Sequence, residues 1–245
     1  MIAMTAHLRR PLYGAFLLFV SCACAGSGVT ADTPEHPPAQ AIASAHPLAT
    51  HAGMAILDGG GNAFDAAVAV SAALAVVEPY SSGIGGGGFW LLHRAVDGKR
   101  VMLDGRERAP LAAHRDMYLD KQGEVVPGLS IDGPLSAASP GEPAALVHLA
   151  EHYGRLPLAR TLAPAIELAA NGFKVDDHYR RMARFRLKAL QRFPESRRIF
   201  LDDGEVPDVG AVIRQPELAV TLKALAEQGV AGFYDGPVAE KLVQG

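Results

Sequence analysis

Asn62-Ala63-Phe64-Asp65-Ala66-Ala67-Val68-Ala69-Val70-Ser71-Ala72-Ala73-Leu74-Ala75-Val76-Val77 is the stretch on which the fold of this chain turns. Asn62 has the short polar side chain that caps the free amides of a helix start, and Asp65, three residues on, is acidic where the helix dipole favours it. From Ala63 to Val77 almost every residue is apolar, so the predicted helix has no wet face and must be buried on most sides. It runs for roughly 15 residues against the ~20 that a bilayer requires, which reads as a core helix. Glu78-Pro79 ends it.

On the N-terminal side, residues 47 to 57 are helix-compatible, and Gly59, Gly60 and Gly61 stop that helix. On the other side, Tyr80 to Gly88 forms a small-residue loop. Phe89-Trp90-Leu91-Leu92, a turn at Asp97-Gly98, and Val101-Met102-Leu103 then read as a hairpin whose second strand delivers Gly105 and Arg106 to its exit. A loop rich in turn residues spans 123 to 143. The remainder is mainly helical: Gly154 and Gly172 suit helix ends, Pro194 stops a third helix, and Pro216 and Pro237 suit first turns. Helices, a hairpin, then helices point to an α+β or layered arrangement without the strand-helix alternation of a doubly wound sheet.

With 245 residues, 49% hydrophobic and 20% charged, the chain can bury a sizeable core in one or two domains. A net charge of −3 gives no global basic field, so nucleic acid is not an expected partner. The first residues read as an export signal over 1–25. Arg9 and Arg10 supply the positive start, residues 13 to 20 the short apolar run, and Ala23-Cys24-Ala25 the cleavage site, with Val29-Thr30-Ala31 a weaker alternative. Phe19-Val20-Ser21-Cys22 only loosely matches a lipoprotein box. A periplasmic or secreted location follows, with no membrane contact beyond the signal. Cleavage after Ala25 would remove Cys22 and Cys24, leaving no thiol and no disulfide. Residues 26–45, with Pro34, Pro37 and Pro38, read as a linker or tail before a folded region at 46–245.

Several motifs have plain structural readings. Gly83-Ile84-Gly85-Gly86-Gly87-Gly88 contains G-x-G-x-x-G, yet it follows a helix and precedes a strand, the reverse of a dinucleotide site. A close approach of two backbones explains it better. His148-Leu149-Ala150-Glu151-His152 places two imidazoles on one helix face, but a zinc site also needs a third ligand, and a solvated face ending at Gly154 is the simpler reading. Arg180, Arg181, Arg184, Lys188 and Arg192 alternate with Tyr179, Met182, Phe185, Ala189 and Phe193 as in an ordinary amphipathic helix, with no aromatic left on the basic face. There is no G-x-S-x-G elbow. Arg106, next to Glu107, either forms a surface ion pair or presents its planar fork to a carboxylate.

His46-Pro47-Leu48-Ala49 with Ala52-Gly53, Gly60-Gly61-Asn62-Ala63 with Asp65-Ala66-Ala67, Glu78-Pro79, and Ser82-Gly83-Ile84-Gly85-Gly86-Gly87 together resemble the γ-glutamyltranspeptidase family. Arg106-Glu107-Arg108-Ala109-Pro110 looks like that family's R-E-x-A-P element, and Asp116-Met117-Tyr118 and Pro140-Gly141-Glu142 follow it. Tyr153-Gly154-Arg155-Leu156-Pro157, residues 164 to 169 with Gly172-Phe173, and Phe233-Tyr234-Asp235-Gly236 extend the likeness over 46–245. The resemblance implies a partial N-terminal-nucleophile hydrolase αββα sandwich, here the helix-rich part of a large subunit. It implies a precursor that cuts itself, so that a small subunit begins with a nucleophilic threonine. Glutathione and related γ-glutamyl compounds are the implied substrates, with no cofactor and no metal. The arginine of R-E-x-A-P holds the substrate's α-carboxylate in that family, a role that falls on Arg106.

The family's threonine stands in a Thr-Thr-His stretch that this sequence lacks; Thr50-His51 belongs to the opening block and is no substitute. The catalytic residue is therefore expected beyond Gly245, and the polypeptide is expected to be inactive alone. Ser139 replaces the valine that usually precedes Pro-Gly. Three alternatives remain open: a cephalosporin or glutaryl acylase of the same superfamily, a non-catalytic binding remnant, and a zinc hydrolase.

Overall fold

The computed structural model describes residues 40–244; the expected signal peptide, both cysteines and residues 26–39 of the expected linker lie outside them. Helix α1 spans Pro47–Asp58 and α2 spans Ala63–Val77, the bounds that their punctuation predicts. Asn62 Oδ1 accepts from the amides of Phe64 and Asp65 at 2.8 and 3.0 Å, while Asp65 Oδ2 accepts from Asn62 N at 2.8 Å. This reciprocal capping box fixes the start of α2. Helix α1 is capped in the same sense by His46, whose Nδ1 accepts from Leu48 N at 3.1 Å.

Because α2 is built mostly of alanine and valine, other helices approach it closely. Ala49 and Ala52 of α1 are buried against its Ala73, and a Cβ on Gly53 would lie 2.6 Å from Val70. Residues 40–45, the described end of the expected linker, lie along α1: Gln40 Nε2 donates to Asp58 Oδ1 at 2.7 Å, and Ile42 abuts Gly53.

Strands β1 (Gly88–Arg94) and β2 (Lys99–Gly105) form the expected hairpin, in register from Gly88 opposite Gly105 to Arg94 opposite Lys99. Alternation divides its faces. Trp90, Leu92, Val101 and Leu103 turn toward the helical core, where Trp90 Nε1 donates to Ser71 Oγ of α2 at 3.3 Å. Phe89, Leu91 and Met102 point away and are 56, 76 and 60% exposed. The described residues thus supply a helical layer on one side of this sheet only.

Helices α3 (Glu142–Tyr153) and α4 (Leu158–Asn171) flank α2, and Gly154 and Gly172 end them as read; Gly172 has φ of 89°. Short strands β3 (Phe173–Lys174) and β4 (Val212–Ile213) pair antiparallel around α5 (Asp177–Arg192) and α6 (Pro194–Phe200). Pro194 does follow the end of α5, and it also opens α6, since a first-turn proline gives up an amide that has no partner there anyway. Helices α7 (Pro216–Gln228), α8 (Ala231–Tyr234) and α9 (Gly236–Gln244) complete the order. Gln215 ties α7 to α2, its Nε2 donating to Val76 O at 2.8 Å. No helix of the described residues is long and apolar enough to cross a membrane.

The reading of α5 needs one correction. Tyr179 and Ala183 are buried as expected, but Phe185 is 78% exposed. At about 100° per residue, Phe185 lies roughly 140° from the centre of the stripe that buried Tyr179 and Ala183 define, outside the face that packs. With Met182, Ile131 and Phe193 it lines an apolar groove of about 350 Å³.

Candidate functional site

Three backbone segments meet at the exit of β2, and glycine is required at each. A Cβ on Gly87 would lie 2.4 Å from Gly105 O; one on Gly141 would lie 2.4 Å from the carbonyls of both Gly105 and Arg106; one on Gly105 would strike Trp90 and Ala145 at 2.6 Å. The glycine loop therefore serves a close backbone approach, and a strand rather than a helix follows it. Gly86 O accepts from Gly141 N at 2.9 Å and Glu142 N at 3.1 Å. Arg108 and Ser139 exchange amide bonds of 3.1 and 2.8 Å. Ser139 makes this bridge with its backbone and is itself exposed, which accounts for a side chain other than valine there.

Arg106 emerges from this junction on a rigid base, its amide donating to Asp104 Oδ1 at 2.9 Å. Its side chain is 66% exposed, and Nε donates to Glu107 Oε2 at 2.9 Å. Both readings of Arg106 are thus visible at once. The ion pair forms, yet it uses the inner nitrogen and leaves the two terminal nitrogens without a hydrogen-bond partner among the described residues. Such an exposed pair contributes only about 0–1 kcal/mol, so it orients the guanidinium without locking it away from a ligand. The Glu107 carboxyl is held below the usual carboxylate range by its own backbone amide and by Arg106.

Beside the pair lies a cleft of about 490 Å³ lined by Arg106, Arg108, Pro140, His148 and Tyr234 among others. Tyr234 of α8 closes one wall: its hydroxyl donates to Pro140 O at 2.8 Å and accepts from Ala144 N at 3.3 Å. Sequence reasoning missed this tie, although the Phe-Tyr-Asp-Gly block contains it, because nothing local connects residue 234 to the start of α3. The apolar groove along α5 shares no lining residue with this cleft.

Glu142, the first residue of α3, is the second residue that sequence reasoning left without a role. It is 7% exposed, and burial, then the nearby Glu107 charge, push its carboxyl up to about 7. A carboxyl raised from 4.5 to about 7 by folding binds more protons in the native than in the unfolded state. Its favourable contribution is complete below about 4.5 and is lost as pH rises through about 7. Above pH 8, Glu142→Gln is expected to be more stable than the native protein by about 2 kcal/mol, allowing for residual solvation. Urea unfolding of both proteins from pH 5 to 8 checks this. A native protein that keeps its stability relative to the variant across that range would overturn it.

His148 and His152 of α3 stack at 4.0 Å between ring centroids, and His152 Nδ1 lies 3.1 Å from His148 O. Among the described residues no three His, Cys, Asp or Glu side chains are grouped to hold a metal ion.

The sequence and fold are similar to those of known proteins. The family model for gamma-glutamyltranspeptidase matches residues 49–245. A glutathione hydrolase proenzyme from Pseudomonas sp. (strain A14) is 41% identical over 203 residues, covering 82% of this chain and 35% of that protein. The crystal structure of Helicobacter pylori gamma-glutamyltranspeptidase superposes with a TM-score of 0.82 at 40% identity, over 85% of this chain and 60% of that one. A cephalosporin acylase from Bacillus halodurans superposes at 0.69 with 33% identity, over 85% of this chain and 41% of that one. The chain spans about a third of the length of the curated relatives it matches.

Proposed function

The chain belongs to the γ-glutamyltranspeptidase family, and we propose from that membership that it is the large-subunit portion of an exported enzyme acting on γ-glutamyl amides such as glutathione. The fold is accordingly the helix-rich part of an N-terminal-nucleophile hydrolase sandwich, with the bare face of the β1–β2 hairpin turned away from the helices. The observation that supports the functional reading best is the Arg106 guanidinium. It stands at the wall of an open cleft on a backbone fixed by three glycine contacts, with its outer nitrogens free among the described residues.

In this reading the fork of Arg106 grips the α-carboxylate of the glutamyl group by two parallel hydrogen bonds. That fixes one end of a short flexible acid and so positions its γ-carbonyl. The attacking hydroxyl belongs to the N-terminal threonine of a small subunit cut from the same precursor, and it is not among these 245 residues. The threonine's α-amine takes the hydroxyl proton as the oxygen bonds to the γ-carbonyl carbon, and it returns that proton to the amide nitrogen as the C–N bond breaks and the amine departs. The resulting γ-glutamyl ester is resolved by water, giving hydrolysis, or by an amino-acid or peptide amine, giving transfer. Residues 1–25 direct the precursor to the periplasm or the exterior.

The likeness to a cephalosporin acylase keeps a second substrate class in play. Glutaryl and γ-glutamyl groups both offer a carboxylate to Arg106 and differ in the α-amine. The precursor carrying the small-subunit region is expected to hydrolyse γ-glutamyl-anilide faster than glutaryl-anilide. The reverse order would establish the acylase, and turnover of neither would indicate a binding remnant.

A further inference from the structure

Arg106 is not the only guanidinium in its cleft. Arg108 stands two residues further on, about 6.6 Å along a strand-like segment, with its backbone pinned to Ser139 by the pair of amide bonds. Both arginines line the same cavity, and the Arg108 side chain makes no ion pair or hydrogen bond among the described residues. Of the other charged groups at the cleft, the Asp104 carboxyl accepts from the Arg106 amide and so is turned to the backbone. His148 lies on the α3 wall. Arg106 carries Glu107 on its Nε and the Asp104 carboxyl is turned to the backbone, so the unpaired Arg108 guanidinium gives the cleft its free positive charge, available to a carboxylate other than the one that Arg106 holds.

We infer that Arg108 is a specificity-determining residue for donors with a second carboxylate on the amine side of the γ-glutamyl amide, as in a γ-glutamyl peptide with a free C-terminus. The inference rests on the γ-glutamyl reading of Arg106 and adds a division of labour to it. Arg106 takes the carboxylate common to every γ-glutamyl donor, and Arg108 takes the one that distinguishes peptide donors from γ-glutamyl anilides or esters. The site is open to water, so the discrimination is moderate and falls with salt.

The test compares glutathione with its glycyl monoethyl ester, which differ at that end by one charge, using the enzyme matured from the full precursor. The native enzyme is expected to favour the free acid in kcat/KM by about ten-fold, the worth of one partly solvated charge-assisted hydrogen bond. Arg108→Met should bring the ratio close to one through a higher KM for glutathione with kcat retained, and Arg108→Lys should keep part of the preference. Raising the ionic strength should shrink the preference in the native enzyme and leave the ratio of the Met variant unmoved. An equal preference in native and Met enzymes overturns the inference, as does a native enzyme that treats acid and ester alike. If in that case Arg106→Ala still raises KM for both donors, the reading of Arg106 survives and only the role of Arg108 is lost. A native enzyme that turns over neither donor overturns both.

Discussion

Replacing Asp65 with alanine is expected to lower the unfolding free energy by about 3–5 kcal/mol, the largest stability loss from any single carboxyl deletion among the described residues. The Asp65 side chain is fully buried and accepts hydrogen bonds from three backbone amides. One is Asn62 N at 2.8 Å, within its own helix start; the others are Arg155 N at 3.0 Å and Leu156 N at 3.3 Å, some 90 residues away in the link between α3 and α4. Asn62 adds to the same junction by donating from Nδ2 to Tyr153 O at 2.7 Å. Alanine would leave those donors facing a cavity, and each unsatisfied buried amide costs about 1–3 kcal/mol. The residue packed closest on the Asp65 Oδ1 side, Gly154, has no side chain that could swing into the gap. Asparagine preserves the shape but exchanges one acceptor oxygen for a donor, so Asp65→Asn should fall roughly midway. Urea denaturation of the purified protein reads both. A loss below about 1 kcal/mol for the alanine variant would mean that water takes over the three amides.

Asp65 also marks the limit of what the sequence makes legible. The half of its role that caps α2 is a local rule, readable from Asn62 and Asp65 three residues apart, and the structure ends the helix where Glu78-Pro79 predicts. The half that holds the α3–α4 link depends on which elements become neighbours, and no spacing within α2 encodes that. The same division runs through the site. Gly83 to Gly88 could be read as a close-contact loop because order alone denied it a phosphate-binding helix, and Gly87 indeed packs on Gly105. That the third backbone at this junction is Gly141, 54 residues on, required the fold. Phe185 shows the converse failure: a list of apolar residues three or four apart drifts around the helix, and the one furthest from the direction of buried Tyr179 and Ala183 ends up in water. Tyr234 and Glu142 were missed because a hydroxyl on another element's carbonyl and a desolvated carboxyl are tertiary facts.

Removing the guanidinium of Arg106 should produce the largest kinetic change. In the enzyme matured from the full precursor, Arg106→Ala is expected to raise KM for γ-glutamyl donors by roughly a hundred-fold or more, the worth of two charge-assisted hydrogen bonds to one carboxylate. The effect should fall on KM more than on kcat, because a grip on the α-carboxylate is present in both bound substrate and transition state and so contributes to uniform binding. A smaller fall in kcat should accompany it, since a glutamyl group free at one end samples positions in which its γ-carbonyl is out of reach. Arg106→Lys keeps the charge and loses the fork, so its KM should lie between the two. Glu107→Gln separates orientation from binding. It weakens the partner on Nε while leaving the outer nitrogens as they are, and a KM rise well below that of the alanine variant is expected. Steady-state kinetics on the four proteins decides the matter. If the alanine variant kept the native KM, the ion pair with Glu107 would be the whole function of Arg106, and the donor's carboxylate would have to be held by some other cation.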